Sequence, residues 1–248
     1  MRLYDFGVSE TDSLYFVMEL LDGLDLASLV QRFGPMPAAR VVSVLRQACR
    51  SLAEAHEAGL LHRDIKPHNL FLCRLGVDFD VVKVLDFGLV KSVGEDDAHL
   101  TADGALTGTP AYMPPERVTG GPGGETSDRC SLGCVAFWML TGKPVFTGDP
   151  MAMLVHHVRT PPARPSDALG APVPEAVERV VLDCLAKEPS RRPASALELD
   201  RRLAEIERAE PWTQDEAQRW WREHLPQLSA PAPGGDGSDD LLSLQSID

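Results

Sequence analysis

His62-Arg63-Asp64-Ile65-Lys66-Pro67-His68-Asn69 and, further along, Asp86-Phe87-Gly88 decide how this chain is read. A glycine- and threonine-rich stretch follows and closes on Pro115-Glu116. Each string alone is bland: a single His-Arg-Asp is commonly surface charge, and a single Asp-Phe-Gly a turn. In this order they set a carboxylate two residues from a lysine, then a side-chain amide, then a second carboxylate near a glycine. The combination is far more specific than any of its members.

The composition around these strings is that of an ordinary globular protein. The 248 residues suffice for one large domain or two small ones with a sizeable core. A net charge of −13 argues against nucleic acid or an anionic membrane as the main partner. Cys49, Cys73, Cys130, Cys134 and Cys184 form no CxxC pair and no zinc-like spacing with histidine. Scattered buried thiols in a reducing compartment are therefore expected. Met1-Arg2-Leu3-Tyr4-Asp5 lacks the apolar core of a secretory signal. The longest apolar run, 132–140, is far short of the ~20 residues of a membrane helix. A cytoplasmic protein without a membrane span is the expectation.

Periodicity places the strings on elements. Leu14-Tyr15-Phe16-Val17-Met18-Glu19-Leu20 is aromatic and β-branched, with Asp22-Gly23 reading as a turn after it, so a strand is predicted, paired in a hairpin with 2–8. From Leu26 the spacing turns helical, through Leu29 and Val30, then Val41, Val42, Leu45, Ala48, Cys49 and Leu52, with Gly34-Pro35 between two helices. Short strands are predicted at Phe71-Leu72 and 81–85, and helices at 127–140, 175–185 and 194–206. Pro161, Pro162 and Pro165 mark an irregular connection. Trp212, Trp220 and Trp221 sit in a polar helical pattern over 213–224, followed by a Pro- and Gly-rich stretch at 230–237 that reads as a disordered linker.

The residue types suit phosphoryl transfer, which asks a protein to align a nucleophile and neutralise charge. Asp64 can accept the proton of a substrate hydroxyl, and Lys66 can stabilise charge on the transferred group. Asn69 and Asp86 offer the hard oxygen atoms that Mg2+ prefers. Gly88 would let the backbone turn so that Asp86 points into a cleft.

Over about residues 3–203 the chain resembles the eukaryotic-like serine/threonine protein kinases of bacteria. The resemblance implies an α+β protein-kinase fold, mainly the helical C-lobe, with a two-stranded N-lobe remnant and hinge. It implies ATP and Mg2+ as cofactors and proteins phosphorylated on serine or threonine as substrates. Met18 then resembles the gate of the adenine pocket, Glu19 to Leu21 the hinge, Asp25 the ribose-binding acid and Phe71 the floor under adenine. The run from Gly108 through Thr109 to Glu116 is similar to the segment that docks the substrate, with Pro114 replacing a customary alanine. Lys66 together with Thr109 marks the serine/threonine branch. Glu116 is expected to form a buried ion pair with Arg192, and Asp128 to bond the backbone of the catalytic loop. His62 and Phe87 resemble members of an apolar spine on the helix that Asp128 opens. Cys130 departs from the usual aromatic and is expected to thin the packing there.

Arg63 reads as a buried charge seeking an anion, which a phosphorylated activation loop supplies. Lys91 could share that phosphate, Thr101 and Thr107 are the nearest acceptors, and Asp103 could stand in part for phosphate. A solvated loop with incidental hydroxyls fits the same residues equally well.

The family's glycine-rich loop, phosphate-gripping strand lysine and helix glutamate do not occur in this sequence ahead of Leu3. Gly120-Gly121-Pro122-Gly123-Gly124 has no strand before it and reads as a connector, and Lys143 reads as a helix end. A fragment or mis-started chain of an ordinary kinase, weakly active or inactive as given, is expected. A non-catalytic pseudokinase or interaction module is the alternative. The expected organisation is an N-lobe remnant at 1–25, the C-lobe at 26–208, a tryptophan-containing helix at 209–228 and a disordered tail at 229–248. The tryptophans are expected to cap the C-lobe, with partner binding by the tail as the lesser reading.

Overall fold

Aromatic and β-branched residues at the start of the chain produce a two-stranded ribbon. The computed structural model describes residues 3–9, 12–86 and 109–226. Strand β1 (Leu3–Val8) pairs antiparallel with β2 (Leu14–Met18), setting Phe6 opposite Phe16. One face of the ribbon carries exposed Phe6, Val8, Leu14 and Phe16, and the other exposed Tyr15 and Val17.

A second, separate sheet follows the hinge, with β3 (Asp22–Asp25), β4 (Leu70–Leu75) and β5 (Asp78–Val84) all antiparallel in that order. Asp22-Gly23 is therefore strand and not the turn its composition suggests. Glycine is needed there for a packing reason: a Cβ on Gly23 would lie 2.2 Å from the Leu72 carbonyl oxygen.

Helix α1 (Leu26–Phe33) starts where Asp25 caps it, its carboxylate accepting from the Ser28 amide at 2.9 Å and the Ser28 hydroxyl at 2.6 Å. Helix α2 (Ala38–Glu57) turns Val41, Val44, Leu45, Ala48, Cys49 and Leu52 into the core. After a 3-10 turn over Pro67–Asn69 and the β4–β5 hairpin, the chain is described again from Thr109. It then forms α3 (Pro115–Val118) and α4 (Glu125–Thr141).

Helix α4 is buried from Ser127 to Thr141, so it is the axis around which the other helices pack. Helix α7 (Glu175–Cys184) approaches it closely at Gly133, where a Cβ would lie 2.6 Å from that of Cys184. Between them lie α5 (Pro150–Arg159) and α6 (Pro165–Leu169), which the proline-rich sequence there does not suggest. Helix α8 (Ala196–Ala209) packs along α2, joined by Arg46 to Asp200 and Glu207 and by Arg50 to Asp200. Cys130 is buried beside Cys134 on α4.

The last element is α9 (Gln214–His224), opened by a capping box in which Thr213 and Glu216 satisfy each other's backbone amides. It packs on β5 and places Trp221 wholly out of solvent. No helix among the described residues is long and apolar enough to cross a membrane.

Candidate active site

The catalytic-loop residues sit between the end of α2 and the start of β4, in backbone that forms no regular hydrogen bonds of its own. Helix α4 supplies the missing partners. Asp128, buried in its first turn, accepts the His62 amide at 2.9 Å and the Arg63 amide at 2.8 Å. His56, which sequence reading passed over, donates from Nε2 to the same carboxylate at 2.9 Å. Arg117, also unforeseen, donates to the Arg63 carbonyl at 2.6 Å. Arg117 lies far from the loop in sequence, and His56, six residues before His62, ends a helix whose pattern gives no hint that its ring reaches Asp128.

His62 is itself buried. Its Nε2 donates to the Leu85 carbonyl at 2.7 Å and its Nδ1 accepts the Asp64 amide at 3.3 Å, which defines a neutral ring with the proton on Nε2. Burial lowers its pKa from the ordinary 6.5, against the pull of Leu85 and the nearby Asp128 and Asp64.

On this frame Asp64, Lys66 and Asn69 meet. The Lys66 Nζ donates to Asp64 Oδ2 at 2.6 Å. The Asn69 Nδ2 donates to the Asp64 carbonyl at 2.8 Å and to Asp64 Oδ2 at 3.3 Å. With its nitrogen committed, Asn69 has its amide oxygen available for a hard cation. The Asn69 carbonyl accepts the Leu85 amide at 2.8 Å, which ties the start of the Asp86 segment to the same loop. Asp86 is exposed and carries φ of 57°, so the left-handed turn falls on the aspartate itself. Gly88, on which that turn was expected to rest, lies outside the described residues, as do Phe87, Lys91, Thr101, Asp103 and Thr107. The donor set of Asn69 and Asp86 is one that Mg2+ fits.

Two of the expected nucleotide residues, Asp25 and Phe71, are neighbours on the second sheet, and Lys83, which was not among them, continues the row. Asp25 pairs with Phe71 across β3–β4, and Phe71 with Lys83 across β4–β5. Leu70 and Leu72 point to the core while Phe71, between them, takes the other face. Lys83 reaches the hinge, where its Nζ donates to Glu19 at 3.3 Å. Leu21 is half-buried, whereas Met18 is exposed on the ribbon and stands apart from this row. Asp25 holds Ser28 as a helix cap, so a ribose would have to share its oxygens.

Arg63 is exposed, not buried as expected, because its own φ of 65° turns the chain there while Asp128 holds only its amide. Thr109 opens a 3-10 turn over Pro110–Tyr112 that leads to α3 and rests against α5. Beyond it Glu116 and Arg192 form a bidentate pair at 2.7 and 2.8 Å, with Ser127 donating to Glu116 at 2.7 Å. Burial works against the Glu116 charge, but Arg192 and Ser127 outweigh it and hold the carboxyl below its ordinary pKa.

Residues 1–202 match the family model described as protein kinase domain, and the chain belongs to that family. Among individual proteins, the chain is 37% identical over 218 residues to the serine/threonine-protein kinase PknB of Mycobacterium tuberculosis, covering 85% of this chain and 34% of that protein. It is 36% identical over 215 residues to PknB of Mycobacterium leprae, with 85% and 34% covered. The chain thus spans about a third of the length of these curated relatives. The kinase domain of Mycobacterium tuberculosis PknI, solved as a double mutant, shares the fold with a TM-score of 0.60 and 21% identity, over 82% of this chain and 70% of that one.

Proposed function

We propose that this chain carries the catalytic loop of an ATP- and Mg2+-dependent serine/threonine protein kinase. One observation supports this most: Asp64, Lys66 and Asn69 are bonded to one another on a loop whose backbone is fixed by the buried Asp128. Asp64 Oδ2 would take the proton of a serine or threonine hydroxyl as it attacks. Lys66, already on that oxygen, keeps a positive charge beside the reacting centre and limits the rotamers open to the aspartate. Bound Mg·ATP supplies the phosphoryl group, with Asn69 and Asp86 holding the cation. The row of Asp25, Phe71 and Lys83 with the Glu19 hinge is the surface on which the nucleoside would lie.

Two finer readings belong to the same proposal. The exposed Arg63, with Lys91, would receive a phosphate carried on Thr101 or Thr107, and phosphopeptide mapping of active protein that finds neither modified would remove this reading. Five free, buried thiols support a cytoplasmic setting.

The decisive assay is transfer of labelled phosphate from ATP to a serine- or threonine-containing protein substrate. Asp64→Asn should lower the rate roughly 10²–10⁴-fold while Mg-nucleotide binding persists. Transfer that survives the substitution would remove Asp64 from the role of base, and no nucleotide binding by the unsubstituted chain would point instead to a non-catalytic module.

A further inference from the structure

One heavily bonded residue among those described is not used by the mechanism. Asp80 lies in β5 with only 3% of its surface exposed and a φ of 56°, a left-handed backbone in mid-strand. Four donors converge on its carboxylate. Arg40 of α2 gives Nε at 2.8 Å and Nη2 at 2.7 Å, and Trp212 and Trp221 give their indole N–H groups at 2.8 and 2.7 Å. That saturates the roughly four acceptor sites of a carboxylate. The Asp80 carbonyl takes a fifth bond, from Gln47 Nε2 at 2.9 Å. Arg40 lies beneath the ring of Trp220, 3.8 Å from its centroid.

Helix α9 also treats β5 as a partner strand would. Gln214 accepts the Phe79 amide at 2.9 Å and donates to the Phe79 carbonyl at 3.1 Å, completing the outer edge of the sheet. On the same edge Gln47 accepts the Val82 amide at 3.1 Å. The contributors on α9 and on the turn that leads into it, Trp212, Gln214, Trp220 and Trp221, all lie beyond the 1–202 that match the kinase-domain model.

A buried ion pair is a poor way to gain stability, since apolar replacements of similar volume often do as well. What it does supply is a fixed geometry. Here that geometry is imposed on the strand that carries Lys83 to the Glu19 hinge, pairs with Phe71 and runs on through Leu85 to Asp86.

We propose that α9 is a positioning element of the nucleotide site, with Trp212, Gln214 and Trp221 fixing β5 through Asp80 and Phe79. The proposal rests on the kinase reading above, and its test separates the two. Gln214→Ala alters an exposed side chain, and Trp212→Phe removes one indole N–H from a half-exposed ring, so both variants should keep the native far-ultraviolet circular dichroism. A control, Arg46→Gln, breaks the bonds from α2 to α8 and weakens the fold away from β5. In the full chain, Mg·ADP affinity should fall about three- to tenfold in the two α9 variants. Amide hydrogen exchange should quicken across β4, β5 and 19–21, with KM for a peptide substrate unchanged.

Arg46→Gln should lower the unfolding temperature and leave Mg·ADP affinity as it was. Unchanged affinity and exchange in the α9 variants would overturn the proposal. An equal loss of affinity in Arg46→Gln would also overturn it, showing that only global stability is at work. If the unsubstituted chain binds no Mg·ADP, the kinase reading fails, and exchange at β5 and the hinge alone decides whether α9 sets that strand.

Discussion

His157 shows how one side chain can carry a pH dependence far from the reacting groups. It is 2% exposed on α5, edge-on to Phe146. Burial, with the nearby Lys187 charge, lowers its pKa from 6.5 to about 4. Below pH 6.5 the unfolded chain takes up a proton that the folded one refuses. Stability should therefore fall as pH drops from 6.5 towards 4 and gain no further loss from this group below that. The expected size is on the order of 2–4 kcal/mol. Urea midpoints at pH 7, 5.5 and 4.5 check it: the native chain should lose much more than His157→Gln, and parallel slopes would refute the assignment.

Residues that recognition strings can name were legible in the sequence; those that act through space were not. Asp64, Lys66 and Asn69 lie within one turn of one another, so their order alone announces their meeting. Lys83 meets Glu19, and Arg40 meets Asp80, only because the sheet folds them together. Nothing local in either sequence neighbourhood marks such a pairing.

At the scale of elements, the pair Glu116–Arg192 ties α3 to the segment before α8. Arg192 also donates to the carbonyls of Ala186 and Thr126, so its guanidinium joins three stretches of chain. Arg192→Met should cost about 3–5 kcal/mol, since it strands a partly buried carboxylate, and Arg192→Met with Glu116→Gln should recover part of that. Denaturant titration of the two variants measures the difference. The depressed Glu116 pKa adds a signature: its stabilisation is present above pH 4.5 and is lost as pH falls through the lowered folded value. In the single variant this acid-side loss should disappear.

Element boundaries followed the strength of the periodic signal. The helix expected at 127–140 is observed as Glu125–Thr141, because its apolar run is continuous. Strand β3 was hidden by an Asp-Gly pair that ordinarily makes turns, and close contact with Leu72 overrides that preference. Helix α5 was missed because histidines and methionines blur its apolar stripe, and Asp149 as its cap was the one available signal.

Over the whole molecule, the two sheets differ in what covers them. The β3–β4–β5 sheet is flanked by α2 and α9, while the β1–β2 ribbon leaves Phe6 67% and Leu14 72% exposed. Apolar surface of this kind on an open-edged ribbon promotes association. Sedimentation velocity of the 248-residue chain should show concentration-dependent self-association, and Phe6→Thr with Leu14→Thr should shift it towards monomer. A monodisperse native chain at all concentrations would contradict this.

Asp128 belongs to the most buried helix of the protein, yet its carboxylate ends on the backbone of His62 and Arg63. The His62-Arg63 end of the loop therefore depends on α4 for the partners of its amides. Partly folded species in which α4 is loose would be catalytically silent, whatever secondary structure they retain. On the proposed kinase reading, competence for phosphoryl transfer would arrive only with closure of the core around α4.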